Sequence, residues 1–406
     1  MTNNFLATET NRDNRANYNL QLNRWFLEPI GAWPFFPTTS NLERIVSFIL
    51  IVICYSLLLA TVIPCILYLI LEEKDFVVKM KLVGPVGHWF VGSINYTVLL
   101  LRGRDIRYCV EHMEADWQMM TRVKDQQLMQ KNAKFGRYVV LSCAIFMQSG
   151  VLCFCLLTAF STKVIQVGND TKYVHQIPCP VYTKLVDVNA SPMNEIVLLV
   201  ECLSGFIVNS STVGVFGIAA VLCAHACGQL SVVMLWITEF INEPKEQGKI
   251  APFKQLGMIV EHHLRALSFI SYIEQMMNRI YFLELSRCTI HICILSYYII
   301  TEWAEHDVQN LIIYFMLLFS ISFNIFIICY IGEILSERSK MVGDVVYMTN
   351  WYYLPGKDIL DLVLVIARSR VVVQITAGKI IHMSVYTFSE VIRCAFAYLN
   401  LLCQVS

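Results

Sequence analysis

Apolar residues in this chain gather into long uninterrupted runs, and the polar stretches between them change character from one gap to the next. Clear runs cover Ile45 to Leu71, Leu82 to Leu101, Tyr138 to Phe160, Ile196 to Ala226 and Leu311 to Ile331. Each meets the need for about 20 mostly apolar residues to cross a bilayer core as a helix. Two weaker runs complete the pattern. Cys288 to Ile300 is short by itself, but carried back through NRIYFLELSR it becomes a helix whose inner half holds Arg279, Glu284 and Arg287. The last run starts near Thr376, continues through VYTFSEVIRCAFAYLNLLCQVS, and holds Glu390 and Arg393 one helical turn apart. The pattern predicts an all-α membrane protein with seven transmembrane helices. Between runs, Arg102 to Arg137 and Phe253 to Met277 are amphipathic, with Ile106, Cys109, Val110, Met113 and Trp117 at helical spacing, so helices are expected to project beyond the membrane as an intracellular layer.

Composition agrees. With 56% hydrophobic residues, 15% charged and a mean hydropathy of +0.55, the chain falls well short of the about 25% charge of soluble domains and would expose large apolar patches in water. Its net charge of zero gives no sign of nucleic-acid binding. Lys and Arg are distributed unevenly, and cytoplasmic loops retain them. Arg12, Arg15, Arg24 and Arg44 precede the first run, and a dense group from Arg102 to Arg137 follows the second. Alternate gaps hold only Lys74, Lys163, Lys172 and Lys184, with Lys79 and Lys81 at a boundary. This bias predicts a cytosolic amino terminus and an extracellular carboxyl terminus. The first forty residues lack a signal-peptide core, so the first span is expected to act as its own targeting signal. Sequons at Asn169 and Asn189 fall in a predicted external loop, whereas those at Asn95 and Asn209 fall inside spans and are expected to be unused. The 15 Cys follow no metal spacing and read as small buried apolar residues.

Four short elements carry a family resemblance. They are LEPIGAWP (Leu27 to Pro34), HACGQL (His225 to Leu230), CYIGEILSERSKMVGDVVYMTNWYYLP (Cys329 to Pro355) and FSEVIR (Phe388 to Arg393). In this order they resemble the insect odorant receptors, ligand-gated cation channels of inverted seven-span topology. A G-protein-coupled receptor is disfavoured by the internal amino terminus and the lack of DRY and NPxxY. Only about forty residues separate Trp236 from Asn278, so the chain looks like a ligand-specific tuning subunit and not the shared co-receptor, which carries a long insertion there. AYLNLLCQV keeps Tyr398 and Gln404 of the gustatory receptors' terminal motif but lacks its Thr and Phe.

The resemblance implies an odorant-gated, non-selective cation channel subunit that assembles with the odorant receptor co-receptor into a tetramer. It would sit in the plasma membrane of sensory dendrites and need no cofactor or metal. It divides the chain into a cytosolic segment 1–44, a six-helix ligand-binding and anchor region 45–375 and a pore-lining helix 376–406. The family's pocket lies in the outer half of the spans. At matching depth are His88, Trp89, Gly92 and Tyr96; Met147, Gly150, Val151 and Phe154; Glu201, Phe206 and Ile207; Tyr297 and Tyr298; and Tyr314. Such aromatics, Met and a few polar groups suit a small volatile or lipid-like molecule, although each also fits ordinary helix packing. Near Tyr398 and Gln404 the resemblance places a gate formed by Leu401 and Val405, with Ala397 and Leu399 on other faces; lipid-facing residues remain the alternative. A charge at the bilayer centre costs at least about 2.5 kcal/mol, so Glu390 and Arg393 face either an aqueous vestibule or another helix. EHHLR, Glu261 to Arg265, reads as a polar contact more readily than as a metal site. The rival readings are a gustatory-type or homomeric ligand-gated channel and, more distantly, a transporter. No nucleophile–base or metal constellation at one depth suggests an enzyme.

Overall fold

In the computed structural model, residues 18–167, 170–242, 252–305 and 308–405 are described. Helix α1 covers residues 18–27 and is followed by the LEPIGAWP turn. Gly31 sits there at φ +68°, and a Cβ at that position would meet the Ser47 carbonyl oxygen at 2.7 Å, so only glycine fits. The turn is closed by Ala32 N donating to the Leu27 carbonyl at 2.8 Å, and Tyr96 Oη donates to the Ile30 carbonyl at 2.7 Å. Leu27 is thereby seated against Gly214, where a Cβ would collide with it.

Helix α2 spans Asn41–Leu67 and continues as a π turn, Tyr68–Glu72. Ser40 and Glu43 cap it reciprocally at 3.2 Å, satisfying two otherwise orphaned amide groups. Then come α3 (Phe76–Leu101), α4 (Gly103–Met119), α5 (Val123–Phe160), the hairpin β1–β2 (Thr162–Val167, Asp170–His175), α6 (Met193–Asn242), α7 (Pro252–Glu305), α8 (Val308–Met348), α9 (Gly356–Arg370), the short hairpin β3–β4 (Thr376–Ala377, Ile381–His382) and α10 (Val385–Val405). Among the described residues, α2, α5, α6, α7 and α8 are long and apolar enough to cross a membrane. Helices α5 to α8 hold 38, 50, 54 and 41 residues, or about 57 to 81 Å at 1.5 Å per residue. That far exceeds a hydrocarbon core of about 30 Å, so they continue beyond it as the amphipathic stretches predict.

Helix α6 is the centre of the bundle. Its apolar window is 94% buried within the chain, against 17% for α2. Because protein and not lipid surrounds α6, it tolerates Asn209, Ser210, Ser211 and Thr212 in its middle, all buried. Two expectations need correction. The last helix begins at Val385, because Thr376 to His382 form a hairpin around Gly378 and Lys379, both at positive φ. Ala397 also shares the exposed side of α10 with Leu401, whereas Leu399 is buried.

At one end of the bundle the HACGQL segment joins α4, α6 and α7. Asp116 is buried; His225 Nε2 lies 2.9 Å from its Oδ2, and Arg265 Nε donates to Oδ1 at 2.7 Å. His112 Nδ1 is 3.2 Å away, within ion-pair range but without hydrogen-bond alignment. Burial pushes the Asp116 carboxyl up, but His112 and His225 together outweigh that and hold it below the usual carboxylate range. In EHHLR, Arg265 thus serves the Asp116 cluster, while the His262 ring packs on Trp236 at 5.0 Å between centroids. Among the described residues no group of side chains is placed to hold a metal.

Candidate functional site

Helices α3, α5, α7 and α8 do not close completely against α6. They leave a cavity of about 310 Å³, within the roughly 300–1,000 Å³ of small-molecule sites. Its sides are largely apolar: Trp89, Met147, Val151, Phe154, Ile294 and Leu317 line it. The Trp89 indole N–H is already committed to Ser204 Oγ at 2.8 Å, so its ring is what remains for a guest. Gly150 keeps a wall open, since a Cβ there would come only to 3.6 Å from Ser320 Oγ. One end is bordered by Gln176, Ile177 and Pro178 of the segment joining β2 to α6. That segment is pinned by α6: Asn194 exchanges two 3.1 Å hydrogen bonds with the His175 backbone, and Cys179 N donates to Glu201 Oε2 at 3.0 Å.

The other end is polar. Asn209 spans three helices, taking a contact from His88 Nε2 at 3.2 Å and donating to the Met147 carbonyl at 2.8 Å. His291 is held between the Arg287 and Gly84 carbonyls at 2.8 and 2.9 Å. Arg287 is bound through Nε and Nη2 to Glu284 Oε2, at 3.0 and 2.5 Å, and Asn95 donates to the other oxygen of Glu284. Among the described residues, Arg287 Nη1 and both amide atoms of Asn324 are buried there without a protein partner, as is the Tyr298 hydroxyl further along α7.

Of the residues singled out from sequence, His88, Trp89, Met147, Gly150, Val151, Phe154, Tyr298 and Tyr314 line this cavity. The others are placed elsewhere. Val208 presses on Gly92, Tyr96 serves the Ile30 turn, Glu201 holds Cys179, and Ile207 is core. Phe206 points outward at 48% exposure, and Tyr297 is buried edge-on against Tyr298. Sequence reasoning missed His291, Asn324 and the lining role of Arg287 and Asn209. Arg287 carried a usable signal, because an ionisable residue inside a span marks a functional site by default. Asn189 is exposed, Asn95 and Asn209 are buried, and Asn169 lies outside the described residues.

Helix α10 rests on the bundle through a narrow stripe of Val391, Ala395 and Leu399. Phe388 meets Phe326 of α8 edge-on at 5.3 Å. Its remaining surface is open and mixed: Arg393 pairs with Glu390 at 3.0 Å, Tyr398 and Leu401 are 59% and 58% exposed, and Gln404 is exposed. The Val405 side chain lies outside the described residues.

The sequence profile of the 7tm odorant receptor family matches residues 75–396, most of the chain. The chain belongs to the odorant receptor family. Membership places this odorant receptor family protein among receptors and not among enzymes. Similar Drosophila melanogaster proteins include odorant receptor 83a, 27% identical over 35% of this chain and 32% of that protein, and odorant receptor 2a, 30% identical over 24% and 25%. The matched segments thus span only about a third or less of the length of these relatives. The olfactory receptor OR5 of Machilis hrabei, solved with eugenol, superposes with a TM-score of 0.78 over 97% of this chain and all of that one. At 13% identity this likeness shows the fold alone.

Proposed function

We propose that this chain is the odorant-binding subunit of a ligand-gated, non-selective cation channel, assembled with the family's co-receptor, with seven spans and a cytosolic amino terminus. The cavity between α3, α5, α7 and α8 carries the reading, because it is enclosed mainly by apolar walls yet keeps polar groups at one end. OR5 of Machilis hrabei, of the same fold, was solved holding eugenol. At 26 and 21 residues, α3 and α10 are long enough to supply the second and seventh spans. The exposed side of α10, with Glu390, Arg393 and Gln404, suits water or neighbouring subunits better than lipid. Exposed apolar residues on α7 and α9, among them Leu264, Leu360 and Leu364, support burial against other subunits at the projecting end.

Gating follows from shared helices. Helix α7 lines the cavity and also packs against α10, so a ligand that binds the open form more tightly shifts α10 with it. Leu401, with Val405, would close the pore by an apolar constriction. Currents recorded with and without the co-receptor, across an odorant panel, test the assignment. Ligand-evoked cation current is expected only with the co-receptor, and Leu401→Ser should raise basal leak more than Leu399→Ser does. Robust odorant responses from this chain alone would reject the tuning-subunit reading.

A further inference from the structure

We infer that the cavity selects neutral, oxygen-bearing molecules with an apolar tail, the oxygen seated at Arg287 and Asn324. This rests on the cavity being the ligand site. Tyr298 of α7 and Tyr314 of α8 meet at 5.4 Å between ring centroids, which fixes the register of the two helices. From that contact Arg287 lies eleven residues along α7 and Asn324 ten residues along α8, about 16 and 15 Å away at 1.5 Å per residue. The helices run antiparallel, so Arg287 and Asn324 come to the same level at the polar end, and Trp89, Val151 and Phe154 line the same cavity.

The unspent hydrogen bonds give the chemistry. Arg287 and Asn324 are 6% and 2% exposed, and Arg287 Nη1 and the Asn324 amide have no partner among the described residues. A hydrocarbon filling the cavity would leave these groups dehydrated and unpaired, the situation sites use to reject analogues that lack an oxygen. An oxygen acceptor meets them with a charge-assisted bond from guanidinium and a second from the amide. Net charge selects further. Arg287 is the one Lys or Arg among the described lining residues, and Glu284 already balances it. A carboxylate would therefore bring an uncompensated buried charge, whereas a ketone, ester or alcohol would not.

The experiment measures binding of nonane, 2-nonanone and nonanoate at neutral pH to the full-length chain in nanodiscs, by equilibrium dialysis corrected with empty nanodiscs. The expected result is 2-nonanone at least about tenfold tighter than nonane and tighter than nonanoate. In Asn324→Leu, and in the charge-balanced pair Glu284→Gln with Arg287→Met, the ketone-to-alkane ratio should fall toward one. Asn324→Leu leaves the ion pair intact, so it decides the question if the double variant fails to fold. Equal affinity for nonane and 2-nonanone, tightest binding of nonanoate, or a ratio preserved in Asn324→Leu overturns the inference. Gly150→Trp separates the two layers. It should abolish binding of all three probes, and unchanged ketone binding there would overturn the cavity reading itself, as would a chain that binds none of them.

Discussion

Two buried polar clusters hold this bundle together, and they are finished to different degrees. Around Asp116 both carboxylate oxygens are engaged, by His225 on one side and Arg265 on the other. Around Arg287 the guanidinium satisfies Glu284 but keeps one nitrogen in reserve, level with an Asn324 side chain that has no partner among the described residues. A carboxylate whose two oxygens both close on protein stabilises the fold, whereas donors and acceptors left open beside a void hold free energy that only a guest recovers. Composition would not separate them, since each combines an acid, an Arg and a His. What separates them is the void that opens beside Arg287 and Asn324.

The comparison is most strongly tested at Asp116. Asp116→Ala leaves Arg265 and His225 without their acceptor, and the expected loss is about 3 kcal/mol, the lower part of the range for breaking a buried pair because the Arg265 side chain is 37% exposed. Thermal unfolding of the purified chain should show a large downward shift; a variant that melts like the parent would remove the distinction between the clusters. At the open cluster the largest effect should fall on ligand potency. Gly150→Ala fits the space and should shift half-maximal odorant concentration by up to about tenfold, and Gly150→Trp by about a hundredfold or more, with co-receptor-agonist currents retained in both. Equal loss of both currents would mean that the substitution damages folding.

Acid provides a third contrast. Burial lowers His262 and His263 to about 4, so between the ordinary histidine range near 6.5 and about 4 the unfolded chain binds more protons and stability falls as pH falls. Asp116, held below the usual carboxylate range, adds its loss only below about pH 4. Unfolding followed from pH 7 to pH 3 should therefore decline in two stages, and Asp116→Asn should weaken the second. A single stage that Asp116→Asn leaves untouched would contradict the placement. The smallest effect is expected at Asn324→Leu, which replaces an unpartnered amide by an apolar group of similar size. Its unfolding should stay within about 1 kcal/mol of the parent or improve on it; a loss as large as that of Asp116→Ala would show that Asn324 has partners after all.

Helices were readable in the sequence because runs of about 20 apolar residues have few other uses. Their ends were not, since Val123, Pro252 and Met348 continue helices whose stability comes from neighbours distant in sequence. Thr376 to His382 looked like the start of the last span; Gly378 and Lys379 turn it back instead. Aromatic and Met positions at one depth pointed to the cavity's apolar wall, from Trp89 to Phe154. Its polar end stayed hidden because each member depends on another helix: Asn209 looked like an unused sequon until His88 and Met147 were beside it. Arg287 stood in the sequence as one of three charges on the inner half of a span, and only the void and Asn324 give its free nitrogen meaning.

The pinned segment beside the cavity bears on time more than on affinity. Asn194 grips the His175 backbone and Glu201 grips Cys179, one on each side of Gln176, Ile177 and Pro178. None of these grips forms part of the polar end that recognises an oxygen, so they can be loosened without changing what is recognised. If departure runs past this segment, how long a response outlasts its stimulus is set by how often the pins release. Asn194→Ala would then shorten the afterglow of an odour pulse while leaving the ranking of odours as it was, and receptors of this design could adjust memory of a stimulus separately from choice of one.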